Sequence, residues 1–240
     1  MKLKYQKILL FIPIFIIGFW LFNTDIVFAH IPFIAEDNHS NKESAFELDD
    51  IYISKVIYQR ITKNNPESWI SFDAKKEETL YFQMGIPYIE SLEDYQPSIA
   101  LLLPSFKADF KSTEDILNDK VQIFHSSQFN NTSVFHEPFT QTKSWILFEQ
   151  YINLPEDGTY FLVSFSPSKQ NGKLWIAIGK KEVFNLQDIS KLAAVTSEVR
   201  AFHQSDPKSN SFNYIYIIVI VVVLFLFGAI VWGIRVLFFK

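Results

Sequence analysis

No cysteine occurs among the 240 residues of the chain. That excludes a disulfide framework, a thiolate metal site and a cysteine nucleophile. Glycine is scarce, with seven in the whole chain, so turns must lean on Asn, Asp, Pro and Ser. Basic residues number 22 against 26 acidic ones. The formal charge of -4 offers no basic face to neutralise phosphates, and no nucleic-acid partner is expected. Neither a Gly-x-Ser-x-Gly elbow nor a glycine-rich phosphate loop is present. His136-Glu137 has no second His four residues after His136, so it is not a zinc-protease motif. What the chain does have is apolar: 48% of its residues, with 17% aromatic and 25 Phe. That is core-forming material for one ordinary domain, or two small ones, plus accessory segments.

Two segments stand apart from a soluble fold. Lys2, Lys4 and Lys7 precede an apolar run from Ile8 to Phe22, and Val27-Phe28-Ala29 supplies small residues at cleavage spacing. Residues 1–29 read as a secretory signal peptide cut after Ala29, with an uncleaved signal anchor as the alternative. Near the other end, Tyr214 to Ile234 carries no charge. As a helix it spans roughly 30 Å, the thickness of a bilayer core. Tyr214, Tyr216 and Trp232 sit where interfacial aromatics are expected, and Arg235 and Lys240 follow as a positive cytoplasmic tail. The expectation is a type I, single-pass protein of the cytoplasmic membrane, with 30–184 outside as a folded head. Residues 185–203 form a helix, 204–213 a stalk, 214–234 the membrane helix and 235–240 the tail. Setting aside Lys2, Lys4, Lys7, Arg235 and Lys240 leaves 17 basic residues, and setting aside Asp25 leaves 25 acidic ones. The ectodomain, about His30 to Phe212, is therefore at -8, which disfavours adhesion to anionic lipid or polyphosphate.

Within the head, short runs bounded by turn residues predict strands. Ile51–Ile61, Ser68–Phe72, Thr79–Ile86, Ser98–Leu103, Lys120–Phe124, Trp145–Ile152, Thr159–Ser166 and Lys173–Gly179 all qualify. Their eight-to-twelve-residue spacing implies a mainly β, antiparallel, jelly-roll-like sandwich. Glu36 to Asp50 reads as an extended acidic lead-in. Leu186, Ile189, Leu192, Ala193, Thr196, Val199 and Phe202 recur at three and four, which predicts a juxtamembrane amphipathic helix. Its stripe either packs on the sandwich or lies in the membrane–water interface.

Pro66 to Ala74 leading into Thr79-Leu80-Tyr81-Phe82-Gln83, with Leu154 to Val163 and Gly172 to Gly179, resembles the bacterial pre-peptidase C-terminal domain. The layout is also similar to a group of membrane-anchored bacterial and archaeal proteins. They share a His after the signal peptide, a segment like Glu137-Pro138-Phe139, a Gly-x-x-Glu like Gly179 to Glu182, and a terminal membrane helix. The resemblance implies a small β-sandwich; its motifs specify a hairpin and not a reaction.

Three kinds of chemistry are candidates. If cleavage follows Ala29, the His30 α-amine and ring nitrogen can chelate copper, with His136 or His125 completing the site; His39, His203 and Glu137 are further donors. The alternative is that His30 merely begins the lead-in. Glu36, Asp37, Glu43, Glu47, Asp49 and Asp50 offer oxygens, but in no calcium-loop spacing, and read as a solvated face. Trp69, Tyr81 and Trp145, with Tyr151, Tyr160 and Trp175, can stack a sugar if they share an outer face; otherwise they cover the second face or receive the helix. The leading expectation is a membrane-anchored, non-enzymatic binding or interaction module, with an accessory subunit of a membrane complex, docked on a membrane-protein partner, as one form of it. A copper-binding protein and an envelope hydrolase are the alternatives.

Overall fold

The computed structural model describes residues 31–35, 38–107, 119–129, 133–183, 192–204, 222, 225 and 228. These form eleven strands: β1 (Ile31–Ile34), β2 (Phe46–Leu48), β3 (Lys55–Ile61), β4 (Glu67–Ala74), β5 (Thr79–Pro87), β6 (Ser98–Leu102), β7 (Val121–His125), β8 (Ser133–Glu137), β9 (Thr142–Asn153), β10 (Gly158–Phe165) and β11 (Gly172–Ile178). One helix follows, α1 (Leu192–Phe202). A six-stranded sheet runs β1-β3-β11-β5-β9-β8, and a five-stranded sheet runs β2-β4-β10-β6-β7.

Alternation explains how the two sheets meet. Leu80, Phe82 and Met84 of β5 and Ile57 and Ile61 of β3 face Ile70 and Phe72 of β4, Ile99 and Leu101 of β6, and Leu162 of β10 in one buried cluster. Phe82 and Phe124 meet edge to face at 5.4 Å between the sheets. Each such side chain contributes about 1.5–3 kcal/mol by leaving water. The fold is thus mainly β and sandwich-like, as the strand spacing implies.

The all-antiparallel expectation needs correction, because both sheets are mixed. β1 runs parallel to β3 and β2 parallel to β4, while the other pairings are antiparallel. The lead-in read as merely extended in fact supplies β2, and the chain just after Ala29 supplies β1. Each is a short edge strand of one sheet, and the two lie side by side, with the Phe33 and Phe46 rings 5.5 Å apart.

A register shift between Met84 and Gly85 leaves Leu147 of β9 without a partner on β5. This bulge reverses the facing of β9 along its length. Tyr151 and Glu149 lie on the outer face, whereas Trp145 turns to the core side and packs against the main cluster.

The amphipathic helix is observed from Leu192, and the described part of its stripe packs on protein. Thr196, Val199 and Phe202 are buried against Tyr58, Trp175 and Ala177 on the outer face of the six-stranded sheet. Residues 185–191 lie outside the described residues. So do the signal segment and all of 214–234 except Val222, Phe225 and Gly228. Among the described residues no helix is long and apolar enough to cross a membrane.

Candidate functional site

The outer face of the six-stranded sheet divides into two halves. One lies under α1. The other is open, and there the direct cross-strand pair Tyr81 and Tyr151 faces solvent. Their rings stand 4.9 Å apart at 49°. Alternation puts them there: Leu80 and Phe82 take the core side of β5, so Tyr81 must point out.

The chain leaving β11 completes the site. Gly179 adopts φ +72°, and a Cβ there would lie 2.5 Å from the Ile53 carbonyl oxygen. Only glycine fits this reversal. The Gly179 N–H donates to the Tyr81 carbonyl at 3.2 Å, and the Lys180 and Lys181 N–H groups donate to the Tyr52 carbonyl at 3.0 and 2.8 Å. Lys180 is thereby laid across the tyrosines, its Nζ 4.2 Å from the Tyr81 ring centre and 4.7 Å from that of Tyr151. Both contacts are cation–π in kind. Lys180 Nζ also donates to the Tyr151 hydroxyl. The Tyr81 hydroxyl donates to Glu149 Oε2 at 3.1 Å. Burial and that carboxylate raise the Tyr81 phenol above its ordinary range, so it stays a donor.

Asp50, Ile51, Tyr52, Thr79 and Lys181 join these residues around an open cleft of about 490 Å³. Its wall mixes hydrogen-bond donors and acceptors of both signs on an aromatic floor. Such a surface can orient a ligand with polar groups, and its described lining residues include no paired nucleophile and base.

The expected site residues are scattered. His30 lies outside the described residues. His136 is exposed on the edge strand β8, while His125 is half-buried on β7 of the other sheet with Nδ1 2.9 Å from Ser98 Oγ. His39 bonds the Ser44 carbonyl at 2.7 Å. The Glu137 carboxylate accepts the Phe139 N–H at 2.9 Å and bonds both donors of Thr140, so it closes its own turn. Among the described residues no three His, Asp or Glu side chains are grouped to hold a metal ion. Asp49 pairs with Lys55 at 3.1 Å, and Asp50 accepts the Tyr52 N–H at 2.7 Å.

Nor do the expected aromatics share a face. Trp69 is buried on the outer side of the five-stranded sheet, packed on Phe161, with its indole N–H donated to Glu67 at 3.1 Å. Trp145 meets Tyr88 at 4.3 Å, the rings tilted by 36°, beside β8. Trp175 lies beneath α1, and Tyr160 is in the core against Phe72. Tyr81 and Tyr151 alone of that set meet. Sequence reading takes Gly179 to Glu182 as a structural motif and misses its two lysines; the signal available was a lone glycine followed by paired cations at a strand end.

Two Ser–His pairs carry nucleophile–base geometry, Ser98–His125 and Ser144–His203 at 3.1 Å. Neither residue pair borders the cleft. His203 spends Nδ1 on the Val199 carbonyl at 2.9 Å, and Ser144 and His203 are both buried.

No known protein family and no curated protein matches the chain. Among solved structures it is similar to PliG of Aeromonas hydrophila, a periplasmic lysozyme inhibitor of g-type lysozyme, at 8% identity over 63% of this chain and 96% of that one, TM-score 0.29. It is similar to the pre-peptidase C-terminal domain of collagenase from Bacillus anthracis at 8% identity over 55% and 91%, TM-score 0.27. It is also similar to CorA, a surface-associated copper-binding protein of Methylomicrobium album BG8, at 9% identity over 64% and 99%, TM-score 0.29. At these TM-scores the fold rests on the chain's own strand pairings, and no ligand is carried across.

Proposed function

We propose that the chain is a binding module held on the outer face of a cytoplasmic membrane by residues 214–234, with the Tyr81–Tyr151–Lys180 cleft as its ligand-contacting surface. The observation that carries this reading is the cleft itself. A pair of tyrosines on adjacent strands is fixed by Glu149 and Lys180, so little side-chain freedom remains to be lost on binding. The apolar run from Tyr214 to Ile234 and the signal-like amino end support the placement. The module acts by contact and leaves its ligand chemically unchanged.

Fractionation of the full chain tests the placement. It is expected to stay with membranes through alkaline washing and to lose its head to protease added outside intact spheroplasts. Recovery in the supernatant without detergent, or a protected head, would refute it. For the cleft, Tyr151→Ala and Lys180→Ala are expected to abolish whatever capture of cell-envelope material the wild type shows, while Tyr88→Ala, on a different aromatic ledge, leaves it unchanged.

A further inference from the structure

Ligand class follows from what the cleft already holds. Tyr151 keeps 57% of its surface exposed, so the part of its ring face that Lys180 and Tyr81 do not cover stays open to solvent. A cationic ligand would normally seek that face. Here the Lys180 ammonium already sits 4.2 and 4.7 Å from the two ring centres, and a second cation would meet like charge. An anion would meet Lys180 and Lys181, but also Asp50 in the wall and Glu149 beside Tyr81. A purely apolar ligand would displace water from Lys181 and from the Asp50 oxygen that the Tyr52 N–H does not use, without replacing it, whereas Thr79 already spends its hydroxyl on Asn153.

One chemistry satisfies all of these constraints. An uncharged sugar has a C–H face for the tyrosine ring and hydroxyls that both donate and accept. Such hydroxyls can donate a hydrogen bond to Asp50 and accept one from Lys181. The cleft, at about 490 Å³, falls in the range of roughly 300–1,000 Å³ usual for small-molecule sites.

We propose that the Tyr81–Tyr151 cleft binds neutral saccharide rings, with Tyr151 as the stacking platform and Asp50 and Lys181 as the hydroxyl partners. This rests on the reading of the chain as a binding module. The test is calorimetric titration of the full chain in a detergent without a sugar headgroup. The probes are chitotetraose, cellotetraose, maltotetraose and mannotetraose, with tetragalacturonate as the acidic counterpart. At least one neutral tetrasaccharide is expected to bind, with affinity weakened about tenfold or more by Tyr151→Ala and much less by Tyr151→Phe, which keeps the ring. Lys181→Met is expected to weaken binding severalfold. Tyr151 is exposed, so its variants should melt like the wild type, and a thermal melt checks this. Absence of binding by all four neutral probes, or equal binding by Tyr151→Ala, overturns the proposal. Stronger binding of tetragalacturonate that is lost in Tyr151→Ala overturns the neutral assignment alone, and the binding-module reading then survives.

Discussion

The indole N–H of Trp175 donates to the hydroxyl of Ser144 at 3.0 Å, beneath the helix that covers this half of the sheet. Ser144 in turn meets His203 Nε2 at 3.1 Å. A carbonyl can only accept, so the 2.9 Å contact with Val199 places the proton of His203 on Nδ1, and Nε2 accepts from Ser144. The relay therefore runs Trp175 to Ser144 to His203 to the last turn of α1. It fastens helix to sheet. Lys173 adds a second fastening, donating to the Phe202 carbonyl at 2.8 Å. Arg200 adds a third through the Thr140 carbonyl at 2.7 Å.

Protonating His203 turns its accepting nitrogen into a donor, so Ser144 must accept from both Trp175 and His203 and its own buried O–H loses its acceptor. Burial lowers the His203 pKa from its ordinary 6.5, aided by the charge of Lys173 and opposed by the bond to Val199 and by Glu137. The unfolded chain then binds more protons than the folded one in this window, so stability rises with pH. The contribution is present above about pH 6.5 and is lost progressively as pH falls from there toward the lowered native value. Thermal melts at pH 7.5 and 5.5 should show a larger drop for the wild type than for His203→Gln, which has no proton to gain. Equal drops would show that the relay does not sense pH.

Gly179 makes a second, sharper prediction. Its φ of +72° and the 2.5 Å approach to the Ile53 carbonyl leave no room for a methyl group. Gly179→Ala should cost about 1–3 kcal/mol, read as a lower denaturant midpoint at unchanged slope. It should also lift Lys180 off the two tyrosines, so the Tyr151 ring becomes more accessible to chemical nitration. An unchanged midpoint would mean that the loop relaxes freely.

Much of this architecture is legible in the chain, for a physical reason. Thr79 to Ile86 alternates because one side of that strand is core, and Thr159 to Ser166 is a near-continuous apolar run because both of its faces are covered; each requirement is written locally. β1 and β2 are not legible: their partners, Lys55–Tyr58 and Ile70–Phe72, are parallel and reached with no tight turn. β8 is exposed along most of its length, so it carries no alternation to read. The candidate site suffers most from the bulge. Counting by twos puts Trp145 on the face of Tyr151; the unpaired Leu147 puts it on the other. Trp69 misleads differently, since the outer face of its sheet has its own apolar cover in Phe106, Val121, Val163 and Phe165.

The same bulge brings Gly85 under Trp175. A Cβ at Gly85 would stand 2.2 Å from Cζ2 of that indole and 2.9 Å from the Trp145 carbonyl oxygen. Gly85→Ala should therefore displace Trp175, break its bond to Ser144 and loosen α1, at about 1–3 kcal/mol. Near-ultraviolet circular dichroism should lose Trp175's signal along with the midpoint. Retention of both would place the indole elsewhere.

Gln59 inverts the usual direction of mutational effects. It alternates with Ile57 and Ile61 on the core side of β3 and is fully buried. Neither its Nε2 nor its Oε1 has a hydrogen-bond partner among the described residues. An unpaired buried amide costs about 1–3 kcal/mol, because water's bonds are given up and not replaced. Leucine keeps much of the shape and removes the polar atoms. Gln59→Leu is expected to raise stability by about that amount, whereas Gln59→Glu should lower it steeply by placing an unpaired charge in the same apolar layer. Denaturant midpoints of the two variants against the wild type decide it. A lower midpoint for Gln59→Leu would show that the amide is bonded in the native state, and the ledger for this strand would then reverse its sign.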